Sequence, residues 1–308
     1  MNITWTTLTS GSVQTPYKNT ISKYKLYQTK ILRDSVPINV LQSPETKSLL
    51  IEYNGKPARL HLGMPRSVDL CAATYTIAST DEFKKAINHK YNPSKEALSA
   101  MLIREPITQS PFVNTYMGSG FESRLYLIMD VHHIKDEENG VKGIAGKVCN
   151  YKIDLPQGKE TDILGDIKLA IMYDSIAAGR NLIAGITDLK KKCPNLEKVV
   201  TVSVYATYTG CERLAKACRD LGLEVIMFCM HELLDASPIN EYDSFYPKWN
   251  ISKSDDKLMQ SFYGKNYHKI CVGGDWSANT LGREQALDVF KQQLKDIGID
   301  PKTFELEA

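Results

Sequence analysis

The residues best placed to do chemistry lie in one run, Tyr173-Asp174-Ser175-Ile176-Ala177-Ala178-Gly179-Arg180-Asn181. An apolar segment, IKLAIMY (167–173), stops at Asp174. A helical stripe of Leu182, Ile183, Ile186 and Leu189 begins just beyond Asn181. An acid where a buried strand ends can accept from sugar hydroxyls or approach a metal. Ala177, Ala178 and Gly179 are small enough for backbone N–H groups to come close to an anion. Arg180 and Asn181 open a helix whose N-terminus favours a phosphate. The same spacing also suits an ordinary strand-to-helix turn with small residues for packing. No GxxxxGK[ST] and no GxGxxG occur, which counts against triphosphate and dinucleotide folds of those types.

The elements around this run are legible. KVVTVSVY (198–205) alternates Val200, Val202 and Val204 and predicts a strand. Cys211, Leu214, Cys218 and Leu221 then recur at helical spacing, with Gly222 as the stop. LEVIMFCM (223–230) predicts a third buried strand. This β-α-β-α-β order with short connections requires a parallel sheet, and ligands of such sheets bind beyond the carboxyl ends of the strands. Upstream, IEYNGKPARLHLG (51–63) predicts a hairpin at Asn54-Gly55, and TDEFKKAINHKYN (80–92) a helix capped by Thr80. At the end, REQALDVFKQQLKDIGIDP (283–301) predicts a helix with Ala286, Val289, Phe290 and Leu294 on one face.

Of 308 residues, 43% are hydrophobic and 24% charged, as in globular proteins, and the net charge is +2. No bulk charge advertises a polyanionic partner. No window of about 18 apolar residues occurs, so no membrane association is expected. The first residues lack the pattern of a secretory leader, and the expected location is the cytoplasm. Cys71, Cys149, Cys193, Cys211, Cys218, Cys229 and Cys271 are dispersed without a CxxC pair. They read as reduced thiols in apolar positions rather than zinc ligands or disulfides.

At the run 173–181 the chain resembles the phosphoribosyltransferases, most closely uracil phosphoribosyltransferase. Their strand–acid–turn–helix loop binds the 5′-phosphate and ribose of phosphoribosyl pyrophosphate (PRPP). HHIKDEENG (132–140) with YKIDLP (151–156), YATYTGCERLAKA (205–217) and VGGDWSAN (272–279) resemble that family's flanking elements in order and spacing. The resemblance implies a mainly parallel open sheet flanked by helices over 111–282. Residues 1–110 would then form an N-terminal α+β extension and 283–308 a helical tail. It implies Asp174 and Asp275 as catalytic residues, and Tyr151, Ser175, Ala177, Ala178, Gly179, Arg180, Asn181, Gly273, Gly274 and Trp276 as substrate-binding residues. It further implies Mg²⁺ carried with PRPP, a pyrimidine-like nucleobase as acceptor, no resident metal site, and a homo-oligomer. Three departures stand out. Many members carry a second acid where Tyr173 stands, and a Thr or Ser near Ala177, Arg180 or Asn181. The pyrophosphate loop has no clean match, Gly118-Ser119-Gly120 with Arg124 being the candidate.

Other residues point elsewhere. His231-Glu232, with Asp235 near, follows the third strand and is a candidate substrate contact. His132-His133, beside Asp130 and Asp136, sits at the end of RLYLIMDV, where neighbouring side chains face opposite ways. Lys190-Lys191-Lys192 complements a helix C-terminus. Residues 239–269 interleave aromatic and basic groups, which suits stacking on nucleic acid, a lid or an oligomer contact. Three functions follow: phosphoribosyl transfer, non-catalytic binding of PRPP or a nucleotide to regulate a partner, and base exchange or glycosidic-bond chemistry on nucleic acid.

Overall fold

The computed structural model describes residues 3–31, 35–60, 64–88, 90–103, 124–131, 149–152, 160–235, 245–248, 251–272 and 283–304. In chain order the strands are β1 (Thr6–Gln14), β2 (Ile21–Ile31), β3 (Val36–Gln42), β4 (Glu52–Tyr53), β5 (Lys56–Pro57), β6 (Ala97–Ile103), β7 (Leu125–Val131), β8 (Cys149–Lys152), β9 (Leu169–Tyr173), β10 (Lys198–Ser203), β11 (Ala206–Thr207), β12 (Glu224–Met230) and β13 (Leu233–Leu234). The helices are α1 (Pro44–Leu50), α2 (Met64–Ser79), α3 (Asp81–Asn88), α4 (Pro93–Glu96), α5 (Glu160–Gly165), α6 (Arg180–Lys192), α7 (Tyr208–Asp220), α8 (Lys253–Tyr263) and α9 (Arg283–Asp296).

Every residue of β9 and β10 is buried, Lys198, Thr201 and Ser203 of β10 included, as strands covered on both faces require. They lie at the middle of a nine-stranded sheet of order β1-β2-β3-β12-β10-β9-β6-β7-β8. From β3 to β7 all neighbours are parallel, and β1, β2 and β8 add antiparallel edges. The fold is therefore mixed α/β with helices on both faces. On one face Ile171, Tyr173, Val200, Val202 and Phe228 pack with residues of α1, α2, α3, α8 and α9. On the other, Ala170, Met172, Val199 and Met227 pack with Leu182, Ile186 and Leu189 of α6 and Leu214 of α7.

The boundary expected at residue 110 runs through this sheet. β1, β2, β3 and β6 all come from the first 110 residues, and β3 and β6 flank the central strands directly. Phe83 of α3 meets Phe228 of β12 edge-on, with 5.2 Å between ring centroids. The Asn54-Gly55 hairpin forms, with both residues at positive φ (52° and 77°). Thr80 caps α3 by accepting from the Phe83 N–H at 3.2 Å. In the tail helix Phe290 and Leu294 are buried in the first core.

The aromatic stretch 239–269 is used largely inside the protein where it is described. Phe245 and Tyr263 are buried, Phe245 packs on Tyr205 at 5.3 Å, and Tyr263 packs on Phe290 and Phe304. That removes these rings as platforms for nucleic-acid bases. Six cysteines (Cys71, Cys193, Cys211, Cys218, Cys229 and Cys271) are buried free thiols. Burial pushes Cys193 up to about 11 and Cys218 up to about 12, so both stay protonated and unreactive. Among the described residues no helix is long and apolar enough to cross a membrane.

Candidate functional site

Because β3, β12, β10, β9, β6 and β7 are parallel, their carboxyl ends share one edge of the sheet. Asp174 is the first residue beyond β9 on that edge. It is half-buried, and its Oδ1 accepts from the Ser175 N–H at 2.7 Å, which turns the chain off the strand. Ile176 is buried and bridges to Ala206, its N–H donating to Tyr205 O and its carbonyl accepting from the Thr207 N–H, each at 2.8 Å. The Thr207 hydroxyl donates to Ala177 O at 2.5 Å and accepts from the Gly210 N–H at 2.9 Å. One side chain thus caps α7 and holds the loop that leads into α6.

The close approach depends on two glycines. A Cβ on Gly210 would lie 2.1 Å from Ala177 O, and one on Gly179 would lie 2.8 Å from Gly210 O. Gly179 also sits at φ 73°, in the left-handed region that side chains disfavour. It is the N-cap of α6, and no side chain caps that helix. The first amides of a helix have no partner within it, so the turn Gly179–Leu182 brings backbone donors and the positive dipole end of α6 to the loop after β9. Arg180 is exposed on its first turn, and Asn181 is buried.

The structure brings Asp174, Ser175, Ala177, Ala178, Gly179, Arg180 and Asn181 into one strand–turn–helix unit. Tyr151 lies in β8, paired in register with Met129, three strands from β9 and roughly 14 Å across the sheet. Gly273, Gly274, Asp275 and Trp276 lie outside the described residues, as do Gly118-Ser119-Gly120, His132-His133 and Asp136. The chain reaches 273 from Val272, whose N–H donates to Phe245 O at 2.8 Å beside Tyr205. Arg124 does not belong to this site. It precedes β7, so it lies at the amino ends of the parallel strands, where it pairs with Asp166 at 2.7 Å. Tyr173 faces the core with Val202 and Phe228, leaving Asp174 as the acid at the end of this strand.

A second constellation on the same edge escapes sequence reading. His231 follows β12 with φ 66°. Its Nε2 is 2.8 Å from Asp255 Oδ2, and its Nδ1 is 3.2 Å from Thr46 Oγ1. The acid–imidazole–hydroxyl order has the form of a nucleophilic triad. However, Thr46 is fully buried, its hydroxyl donating to Ser43 O and accepting from the Ser43 N–H in the capping box of α1. It serves as a brace and not as a nucleophile. The expected partners of His231 do other work. The carboxylate of Glu232 accepts from the N–H groups of Leu233 (2.9 Å) and Ile251 (2.8 Å), and Asp235 pairs with Lys248 at 2.7 Å.

No protein-family model and no curated protein matches the chain. The functional reading rests on the chemistry of this edge. Among the described residues no group of three or more His, Cys, Asp or Glu side chains is arranged to hold a metal.

Proposed function

We propose that the protein binds PRPP at the carboxyl end of β9 and transfers its phosphoribosyl group to a pyrimidine-like base, releasing pyrophosphate. The observation that carries this reading is the Gly179 cap. A left-handed glycine opens a 13-residue helix with no side-chain cap, five residues after an acid that ends a central parallel strand. That arrangement suits a 5′-phosphate at the Arg180–Leu182 amides, with Arg180 adding a charge-assisted bond, and ribose hydroxyls on Asp174. The base nitrogen forms the new bond to the anomeric carbon while the bond to pyrophosphate breaks, the electrons leaving with pyrophosphate. Orientation and charge neutralisation dominate such a reaction. By the resemblance, Asp275, Gly273, Gly274 and Trp276 shape the base pocket, whereas Tyr151, three strands from β9, is left out of this site.

Magnesium fits as a companion of the substrate. It keeps several waters and is commonly held by one or two carboxylates plus substrate phosphates, and Asp174 supplies one. When bound, it neutralises charge on the leaving pyrophosphate.

Tyr173 supports a second reading, a PRPP-binding regulator without turnover, because it stands where many phosphoribosyltransferases carry a second acid and its ring is packed in the core. Incubation with PRPP, Mg²⁺ and a panel of nucleobases separates the two. The expected result is pyrophosphate release with one pyrimidine-like base, reduced at least 100-fold in Asp174→Asn. Tight PRPP binding with no release for any base would replace transfer by the regulatory reading.

A further inference from the structure

Away from the Asp174 loop, the β1–β2 ribbon and the first turns of α1 and α8 enclose a cleft of about 980 Å³. Residues 173–181 take no part in its lining. It opens at the ends of β3 and β12, two to three strands from β9, or roughly 10–14 Å along the edge.

Lysines from three separate elements converge there: Lys23 and Lys25 of β2, Lys47 of α1 and Lys253 of α8. Lys23 and Lys25 stand two residues apart on one face of β2, and their cross-strand neighbours are Ser12 and Ser10 of β1. A hydroxyl therefore stands beside each ammonium. Lys23, Lys25 and Lys253 are exposed and make no ion pair among the described residues. Lys47 is 3.8 Å from Glu52 and 3.9 Å from Asp255, beyond hydrogen-bonding range. Among the described residues Asp255 is the one carboxylate in the lining, and its Oδ2 is already engaged by His231, which also faces the cleft. Four lysines thus border one open cleft, with Asp255 in its lining and Glu52 beside Lys47 as the nearby carboxylates, and the surplus of positive charge favours a counter-anion.

We propose that this cleft is a second ligand site, taking a small anion with two or more phosphates, such as a polyphosphate or nucleoside polyphosphate. Lys23, Lys25, Lys47 and Lys253 make charge-assisted bonds to the phosphate oxygens. Ser10 and Ser12 add neutral donors. The N-terminus of α8, where Ser252 caps by accepting from the Asp255 N–H at 3.3 Å, contributes its dipole. The volume matches the upper end of small-molecule sites, about 300–1,000 Å³.

Calorimetric titration of the full chain with inorganic tripolyphosphate tests the assignment. Binding is expected to weaken at least tenfold in Lys23→Ala/Lys25→Ala and in Lys253→Ala, and to fall with added salt. The part of the binding that these lysine substitutions weaken should persist in Asp174→Asn and Arg180→Ala, which act at the other site. The three substituted lysines are exposed and make no ion pair among the described residues, so unfolding midpoints should match the wild type and exclude misfolding. No binding by the wild type overturns the proposal, as does equal binding by the lysine variants. Loss of that lysine-dependent binding in Arg180→Ala would put the ligand at the Gly179 loop and equally overturn the proposal. If a ten-nucleotide single strand of dT binds through these lysines and tripolyphosphate does not, the cleft is a nucleic-acid surface and the proposal fails.

Discussion

His231 holds a backbone conformation that non-glycine residues rarely adopt, with both ring nitrogens engaged. Its partner Asp255 is under opposing influences. Burial works against its charge, but hydrogen bonds with His231 and Ser252 and the nearby His231 and Lys47 charges outweigh burial, and its carboxyl titrates below the ordinary range. A folded-state pKa below the unfolded one means that ionised Asp255 stabilises the fold above about pH 4. That contribution is lost as the pH falls through the lowered folded value. Asp255→Asn is therefore expected to cost about 1–3 kcal/mol at neutral pH. The gap in urea midpoints from the wild type should narrow between about pH 7 and about pH 3. A constant gap would assign the loss to packing instead of charge. Sequence reading found His231 but attached it to Glu232 and Asp235. The true partners lie 185 and 24 residues away, on elements whose meeting only the tertiary fold creates.

The elements that hold the Asp174 loop were legible because their burial is written locally. β9 is apolar without a break, β10 is rich in β-branched residues, β12 is apolar after Glu224, and α6 and α7 carry stripes at helical spacing. The β1–β2 ribbon was not. β1 (TTLTSGSVQ) is mostly exposed on both faces, so no alternation marks it as a strand, and its partner is set by pairing with β2. The small residues 177–179 could be read as a turn, but not the hydroxyl that secures it. Thr207 belongs to the next strand-to-helix junction and crosses to Ala177. Thr207→Val keeps the shape and removes both hydrogen bonds. It is expected to lower stability by about 1–2 kcal/mol in urea titration, with faster amide exchange at Ile176–Gly179. Unchanged exchange there would show that the glycine contact alone holds the loop.

At the scale of the whole molecule, the first 110 residues are structural partners of the central strands. β3 pairs with β12 and β6 pairs with β9, while α1–α3 cover one face. A chain of residues 111–308 would expose both flanks of β9-β10-β12 and the face that carries Ile171, Val202 and Phe228. It is expected to show no cooperative thermal transition, and a sharp transition in that fragment would establish an independent domain. The short ladder on the carboxyl edge has a further consequence. Ile176 bridges to Ala206, and Ala206–Thr207 pair with Leu233–Leu234, so a crossbeam of main-chain bonds ties the turn after β9 to the turn after β12. His231 lies two residues before one end of that beam and Asp174 two residues before the other. Neither turn can tilt without carrying its counterpart, and the chemistry at the two ends shares one mechanical frame.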